Sequence, residues 1–188
     1  MYYSTIIESL WFILPAYIAN SIANDVAHLP ILKKYSYPID SYKTWHGRRI
    51  LGDGKTWRGL ICGVIAGTFT GYVQQIIYYD ANFFLGTFIH SNNLNLFPMT
   101  IKLAFIISLG ALIGDMVASF GKRLIGLPSG YPAPLLDQLD YIFGAFFFAW
   151  TLVPVDLDKF AIVVIITIPL HLVSNLVAYA LKLKKVPW

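Results

Sequence analysis

The chain has 188 residues, of which 57% are hydrophobic and only 13% charged, with a formal net charge of +4. Its mean hydropathy is +0.62. A water-soluble domain carries about 25% charged residues, so these values exclude one and describe a single integral membrane domain over residues 1–188. The one cysteine, Cys62, excludes an intrachain disulfide.

Apolar stretches at about 6–27, 59–79, 100–120, 139–155 and 160–181 approach the roughly 20 residues that a bilayer crossing needs, the fourth being short. They predict an all-α bundle of about five transmembrane helices. The chain starts without a basic segment or a small-residue cleavage site, which reads as a retained first helix and not a signal peptide. In that helix Tyr17, Asn20 or Ser21, Asn24 and His28 recur at three- and four-residue spacing and share a face. Such a stripe either bonds neighbouring helices or lines a cavity. Pro15 is placed to kink the helix.

The loop over 28–58 is strongly basic, with Lys33, Lys34, Lys43, Arg48, Arg49, Lys55 and Arg58. Its end, Gly52-Asp-Gly-Lys-Thr-Trp-Arg-Gly59, looks like a phosphate-binding loop without being a Walker A motif, because position 49 is Arg where that motif needs Gly. It offers amides at Gly52 and Gly54, the Lys55 ammonium and the Arg58 guanidinium just before a helix N-terminus, where anions are favoured. The competing reading is general attraction of anionic lipid headgroups.

In the second stretch Gly59, Gly63, Gly67 and Gly71 stand four apart and clear one face for close helix approach; Gly110 and Gly114 repeat this in the third. The third stretch ends in Asp115, Ser119 and Lys122 on one face, with Arg123 a turn after Ser119. Residues 124–136 are too rich in Gly and Pro for a helix, and Asp137 and Asp140 then open the fourth stretch on one face. Helix capping explains one of these two carboxylates better than both. In the fifth stretch His171, Asn175 and Tyr179 are four apart, and no histidine has zinc-ligand spacing. The basic residues concentrate in loops 28–58 and 120–138 and at the C-terminus, so the positive-inside rule predicts the N-terminus outside and the C-terminus in the cytoplasm. Both motif-bearing loops then fall on the cytoplasmic side and form the active site.

A charge held at mid-membrane costs roughly 2.5–3.5 kcal/mol on insertion scales, so charges kept near it normally hold one another, a metal or an anionic substrate. Asp115, Asp137 and Asp140 suit Mg²⁺, a hard cation that takes one or two carboxylates plus substrate phosphates. Lys55, Arg58, Lys122 and Arg123 suit the phosphates. The pattern points to metal-assisted phosphoryl or nucleotidyl transfer, in which positioning and charge neutralisation carry catalysis. A phosphate nucleophile is already ionised near neutral pH and needs no general base. A lipid substrate requires a sideways opening, whose expected walls are Phe143, Phe146 and Trp150 with the stripe of the first helix; the glycine face is expected to be closed. A cation or phosphate transporter is the alternative, because buried Asp and Lys also line transport paths.

The combination of Asp115, Ser119, Phe120, Lys122 and Arg123, the Gly/Pro-rich spacer and Pro134-Leu-Leu-Asp-Gln-Leu-Asp140 resembles the CDP-archaeol synthase family. Pro15-Ala-Tyr-Ile-Ala-Asn20, Pro38-Ile-Asp40 and Lys55-Thr-Trp-Arg-Gly59 are similar to it as well. The acidic and basic part looks like a reduced phosphatidate cytidylyltransferase signature lacking its His-Gly-Gly element. The resemblance implies an Mg²⁺-dependent cytidylyltransferase of the cell membrane. Its partners would be CTP, an isoprenoid ether lipid phosphate (2,3-bis-O-geranylgeranylglycerol 1-phosphate) and membrane lipids, with no nucleic acid. It implies catalytic roles for Asp115, Lys122, Asp137 and Asp140, and substrate contacts from Lys55, Thr56, Arg58, Ser119, Arg123, Asn20 and Asn24.

Overall fold

The computed structural model describes residues 2–28, 35–90, 94–129, 131, 133 and 135–180. Among them the helices are α1 (Tyr2–His28), α2 (Trp57–Ile76), α3 (Tyr78–Phe88), α4 (Ile101–Leu124), α5 (Leu136–Ala149) and α6 (Leu157–Ala180). A small antiparallel hairpin of β1 (Thr44–Trp45) and β2 (Arg48–Arg49) lies between α1 and α2. The all-helical expectation holds, and its boundaries change in three places. The second apolar stretch ends at Ile76, where the chain bends by 74° into α3, a helix that apolar composition did not separate from its neighbour. α4 runs on through Leu124, so Lys122 and Arg123 sit in its last turn and not in a loop, where their charge complements the helix dipole. α5 has 14 residues; at 1.5 Å per residue it is about 21 Å long, short of a hydrocarbon core of about 30 Å.

By length and composition α1, α4 and α6 contain spans fit to cross a membrane, and the α2–α3 pair adds a fourth if it is one broken span. The core sits where α1, α4, α5 and α6 meet, with Ile13, Ala16, Ile107, Ile142, Ala145 and Val163 fully buried. Phe146 belongs to this core, its ring edge-on to Phe160 at 5.0 Å. It is therefore no wall of a lipid opening, whereas Phe143 and Trp150 on the same helix are exposed.

The glycines of α2 do what their spacing predicts. All four are buried against neighbouring helices. A Cβ at Gly59 would lie 2.9 Å from the Ala23 carbonyl oxygen, one at Gly63 2.6 Å from that of Ala19, and one at Gly67 2.6 Å from that of Pro15. Backbone thus packs on backbone along the α1–α2 seam. Gly110 and Gly114 of α4 meet Gly144 of α5 in the same manner, a Cβ at Gly110 falling 2.7 Å from the Gly144 carbonyl. Side-chain bonds add to the seams: Gln74 donates to the Trp11 carbonyl at 2.7 Å, and the Tyr17 and Thr167 hydroxyls share a bond of 2.7 Å. Tyr17, one member of the polar stripe of α1, therefore serves helix packing.

Candidate active site

The loop before α2 is organised by Asp40. Its side chain is inaccessible to solvent and accepts hydrogen bonds on both oxygens. Arg49 donates from Nη2 at 2.7 Å and from Nε at 3.2 Å. The backbone amides of Tyr42, Leu51 and Gly52 donate at 3.1, 3.0 and 3.1 Å. Burial works to raise the carboxyl pKa, but the Arg49 bond and the three amides outweigh it and hold it at about 2. Arg49 also meets Asp53 at 2.7 Å and lies over the Tyr42 ring, 4.8 Å from its centre. The knot explains why the chain tolerates positive φ at Ser41, Tyr42 and Gly52: the donors must turn inward to reach one carboxylate. Ile39 donates to the Lys55 carbonyl at 2.9 Å and Trp57 to that of Tyr37 at 3.1 Å, which fastens the knot to the start of α2.

Two expectations for this loop change. The Gly52 amide is spent on Asp40 and is not available to a phosphate. Thr56 is the N-cap of α2; its buried hydroxyl accepts from Gly59 N–H at 3.1 Å, satisfying one of the helix's orphan donors. Its place is that of a structural cap beside the site. Lys55, directly before it, projects to α4 and pairs with Asp115, Nζ to Oδ2 at 2.6 Å.

A second pair joins α4 to α5, Lys122 Nζ to Asp137 Oδ1 at 2.5 Å. The other oxygen of Asp137 accepts from the Ala133 amide at 2.9 Å, while the N-cap residue of α5, Leu135, makes no side-chain cap. Asp140, a turn further on, is buried, accepts from the Tyr141 amide at 2.6 Å and stands in the fields of Asp115, Lys55 and Asp137. The structure thus brings Asp115, Asp137, Asp140, Lys55 and Lys122 into one neighbourhood, with Ser119 buried on the same face of α4. Arg58 is buried in the first turn of α2.

A narrow cleft of about 20 Å³ opens at this neighbourhood, lined by Asn24, Lys55, Thr56, Gly59, Leu60 and Asp115 among others. Asn24 lines this cleft, so the α1 stripe does face a cavity there, and it donates to Asn20, a turn before it, at 3.5 Å. The side chain of His28 lies outside the described residues. Gly59 also lines the cleft, which corrects the expectation that the glycine face is closed along its whole length. Arg123 does not face the cleft. Its Nη1 donates to the Leu127 carbonyl, and the residue lines a separate pocket on the flank of α4.

Among the described residues no three Asp, Glu, His or Cys side chains form a group able to hold a metal alone. The carboxylates of Asp115 and Asp137 are turned to lysines instead of to each other. Mg²⁺ keeps several ligands from water and phosphate and needs only one or two carboxylates. The donor set fits an ion shared with a phosphate substrate, and does not fit an all-protein cage.

Reasoning from the sequence missed Asp40 and Arg49 as the residues that shape the loop. The segment Pro38-Ile-Asp40 was visible as part of a resemblance, but nothing in its local spacing ties Asp40 to Arg49 or to the amides beyond it.

Fold and site together define an all-helical integral membrane protein with a lysine-neutralised carboxylate centre where a loop meets helix ends. Residues 2–188 match the family described as CarS-like, CDP-archaeol synthase. The chain is 40% identical to the CDP-archaeol synthase of Pyrococcus furiosus over 186 residues, 97% of this chain and 98% of that protein. It is 38% identical to that of Methanocaldococcus jannaschii over 192 residues, with both chains fully covered. A solved structure, described as giving structural insight into an intramembrane enzyme for archaeal membrane lipids biosynthesis, superimposes with a TM-score of 0.68 at 34% identity, covering 91% of this chain and 94% of its own. The chain belongs to the CDP-archaeol synthase family.

Proposed function

We propose that the protein transfers the cytidylyl group of CTP to the phosphate of an unsaturated archaeal ether lipid, 2,3-bis-O-geranylgeranylglycerol 1-phosphate. The products are CDP-archaeol and pyrophosphate. Besides family membership, the observation that carries this reading is the pairing of Lys55 with Asp115 and of Lys122 with Asp137 at one end of the bundle. Ammonium groups held this way are placed for phosphate oxygens, and the carboxylates they leave are placed for a cation.

An oxygen of the lipid phosphate attacks the α-phosphorus of CTP; the bond from that phosphorus to the bridging oxygen breaks, and pyrophosphate leaves with its electron pair. The attacking oxygen is already ionised, so no side chain has to remove a proton, which accords with a cleft that no histidine lines among the described residues. Lys55 and Lys122 bind the phosphates and neutralise charge as it moves to the leaving group. Arg58 and Ser119 add donors from α2 and α4, and Asn20 and Asn24 supply amides on the α1 side. Thr56 keeps the N-terminus of α2 in place beside Lys55. Mg²⁺, when bound by Asp115, Asp137 and Asp140 together with the nucleotide, supplies charge neutralisation and orientation of the reacting phosphate.

The same reading gives the topology. Counting α2–α3 as one broken span and α5 as a short crossing gives five passes through the cell membrane, with the N-terminus outside and the C-terminus in the cytoplasm. Loops 28–58 and 120–138 then meet cytoplasmic CTP, a soluble substrate. No nucleic acid takes part.

Turnover tests this directly. Purified protein in detergent is given CTP labelled in the cytidine, the ether lipid phosphate and Mg²⁺. Label is expected to enter the lipid phase in equal amount to released pyrophosphate, to stop with a chelator, and to resume when Mg²⁺ is returned. Label that stays in water under all conditions would sink the reading.

A further inference from the structure

A pocket of about 310 Å³ lies on the flank of α4, between the β1–β2 hairpin and the end of that helix. Arg48, Arg49 and Arg123 reach it, with Trp45, Phe120 and Leu124 supplying apolar wall, and no acidic residue lines it. The three guanidinium groups are not alike. Arg49 is answered by Asp40 and Asp53. Arg48 and Arg123 form no ion pair among the described residues. Arg48 only reaches the Leu124 carbonyl, at 3.4 Å. Arg123 is 7% exposed, and its buried Nε has no hydrogen-bond partner. Leaving a buried charged donor unsatisfied is expensive, which applies to Arg123; Arg48, exposed to solvent, adds a second guanidinium without an acidic partner beside the same pocket. Gly126, at φ +92, a conformation that suits glycine, makes the turn beside the Arg48 guanidinium.

We propose that this pocket is a second anion site, holding a phosphate monoester between Arg48 and Arg123, apart from the reaction centre at Asp115. Guanidinium forks suit phosphate oxygens. The apolar part of the rim indicates what carries the phosphate. Trp45 and Leu124 line the pocket and are exposed, Ile125 is exposed next to Leu124, and Val117 is exposed further along α4. An exposed tryptophan beside arginines at the end of a membrane helix belongs at headgroup depth. A pocket at the small end of the range for small-molecule sites, charged inside and greasy at its edge, suits the headgroup of a glycerolipid phosphate whose chains stay in the bilayer. It would capture the anionic lipid beside the centre that consumes it.

The test is binding without CTP, so its outcome does not depend on turnover. The protein is placed in vesicles of neutral phosphatidylcholine containing a rising fraction of phosphatidic acid brominated near the headgroup, and the emission of Trp45 is isolated by subtracting a Trp45→Phe variant. Phosphatidic acid should quench Trp45 strongly and brominated phosphatidylcholine weakly. Arg48→Gln should need about tenfold more phosphatidic acid for half-quenching, the loss expected for one charge-assisted hydrogen bond, and Arg48→Lys should recover part of it. Arg48 is exposed, so these variants keep the fold, which thermal unfolding checks. In a separate arm, inorganic phosphate is added to neutral vesicles. A change in Trp45 emission that needs Arg48, with no preferential quenching by phosphatidic acid, would keep the anion site and assign its ligand to water. Equal quenching of the wild type and Arg48→Gln, or equal quenching by the two brominated lipids, with no Arg48-dependent response to phosphate, would overturn it.

Discussion

Asp40 and Asp115 each meet a cationic side chain at close range, Arg49 at 2.7 Å and Lys55 at 2.6 Å, and yet the two sites are built to opposite ends. Asp40 is saturated: two guanidinium bonds and three backbone amides converge on it. Such a carboxylate has nothing left to offer a ligand, and its partners are fixed in a loop. Asp115 faces the end of one flexible side chain beside a cleft, with the buried Asp140 close by. A lysine there is exchangeable for another cation, and a phosphate can draw it away. The number and rigidity of the donors, more than residue type or burial, separate an ion pair that shapes the chain from one that does chemistry.

Four changes would break or sharpen this contrast. The largest expected effect is at the centre. Asp115→Asn should lower turnover by about 10²–10³-fold, the loss found when one preorganised electrostatic group is removed, while the melting temperature in detergent stays near that of the wild type. Asp137→Asn and Asp140→Asn should behave alike. Near-normal turnover with lowered thermal stability would put these residues in the same class as Asp40.

Asp40→Asn should do the reverse. It removes the charge that Arg49 and three amides are arranged around, at a cost of about 1–3 kcal/mol in stability. Thermal unfolding should move down and proteolysis within residues 38–56 should speed up, with turnover per folded molecule changing less than for Asp115→Asn. An unchanged rate of loop cleavage would show that the knot is dispensable.

Lys122→Ala is expected to raise the KM for CTP about tenfold, as the loss of one charge-assisted contact implies, and Lys43→Ala, an exposed loop residue, to leave it alone. Equal, salt-sensitive losses from both would indicate only general attraction of anions.

The smallest effect is set by pH. The Asp40 carboxyl is held at about 2 in the folded protein, below its unfolded value of about 4. The stability it contributes is therefore complete above about pH 4 and is lost as pH falls through about 2. Loop cleavage by an acid-stable protease should accelerate in that window for the wild type, and the acceleration should be missing in Asp40→Asn.

Much of this was legible in the sequence because helix geometry is local. A four-residue glycine spacing guarantees one bare face, and Asp115, Ser119 and Lys122 share a side of α4 whatever surrounds them. The acidic and basic residues of the centre could be collected on chemistry alone. What local spacing does not encode is which distant partner each group chooses. The Gly52 amide and Asp40 are twelve residues apart, Lys55 and Asp115 sixty, and only the folded loop settles that one bond uses up an expected phosphate donor while the other arms the site. Arg123 was placed with the site because it stands one turn after Ser119, but helical spacing does not say which end of a long side chain meets the cleft, and Arg123 lines the pocket on the flank of α4 instead. The bend at Ile77 escaped because α2 and α3 are equally apolar.

The bare seam between α1 and α2 has a mechanical consequence for the centre. Interfaces made of long side chains have slack: rotamers adjust, and helices shift by fractions of a turn. Where Gly63 rests on the backbone of Ala19, and Leu112 of α4 presses on the same spot, there is no compliant layer to take up such a shift. Leu112 is less than one turn from Asp115, and Gly63 is two turns from the loop that carries Lys55. The seam therefore works as a dowel between α1 and α2, with the Leu112 side chain set against it from α4, so the segments that carry Lys55 and Asp115 start from a closely fixed separation.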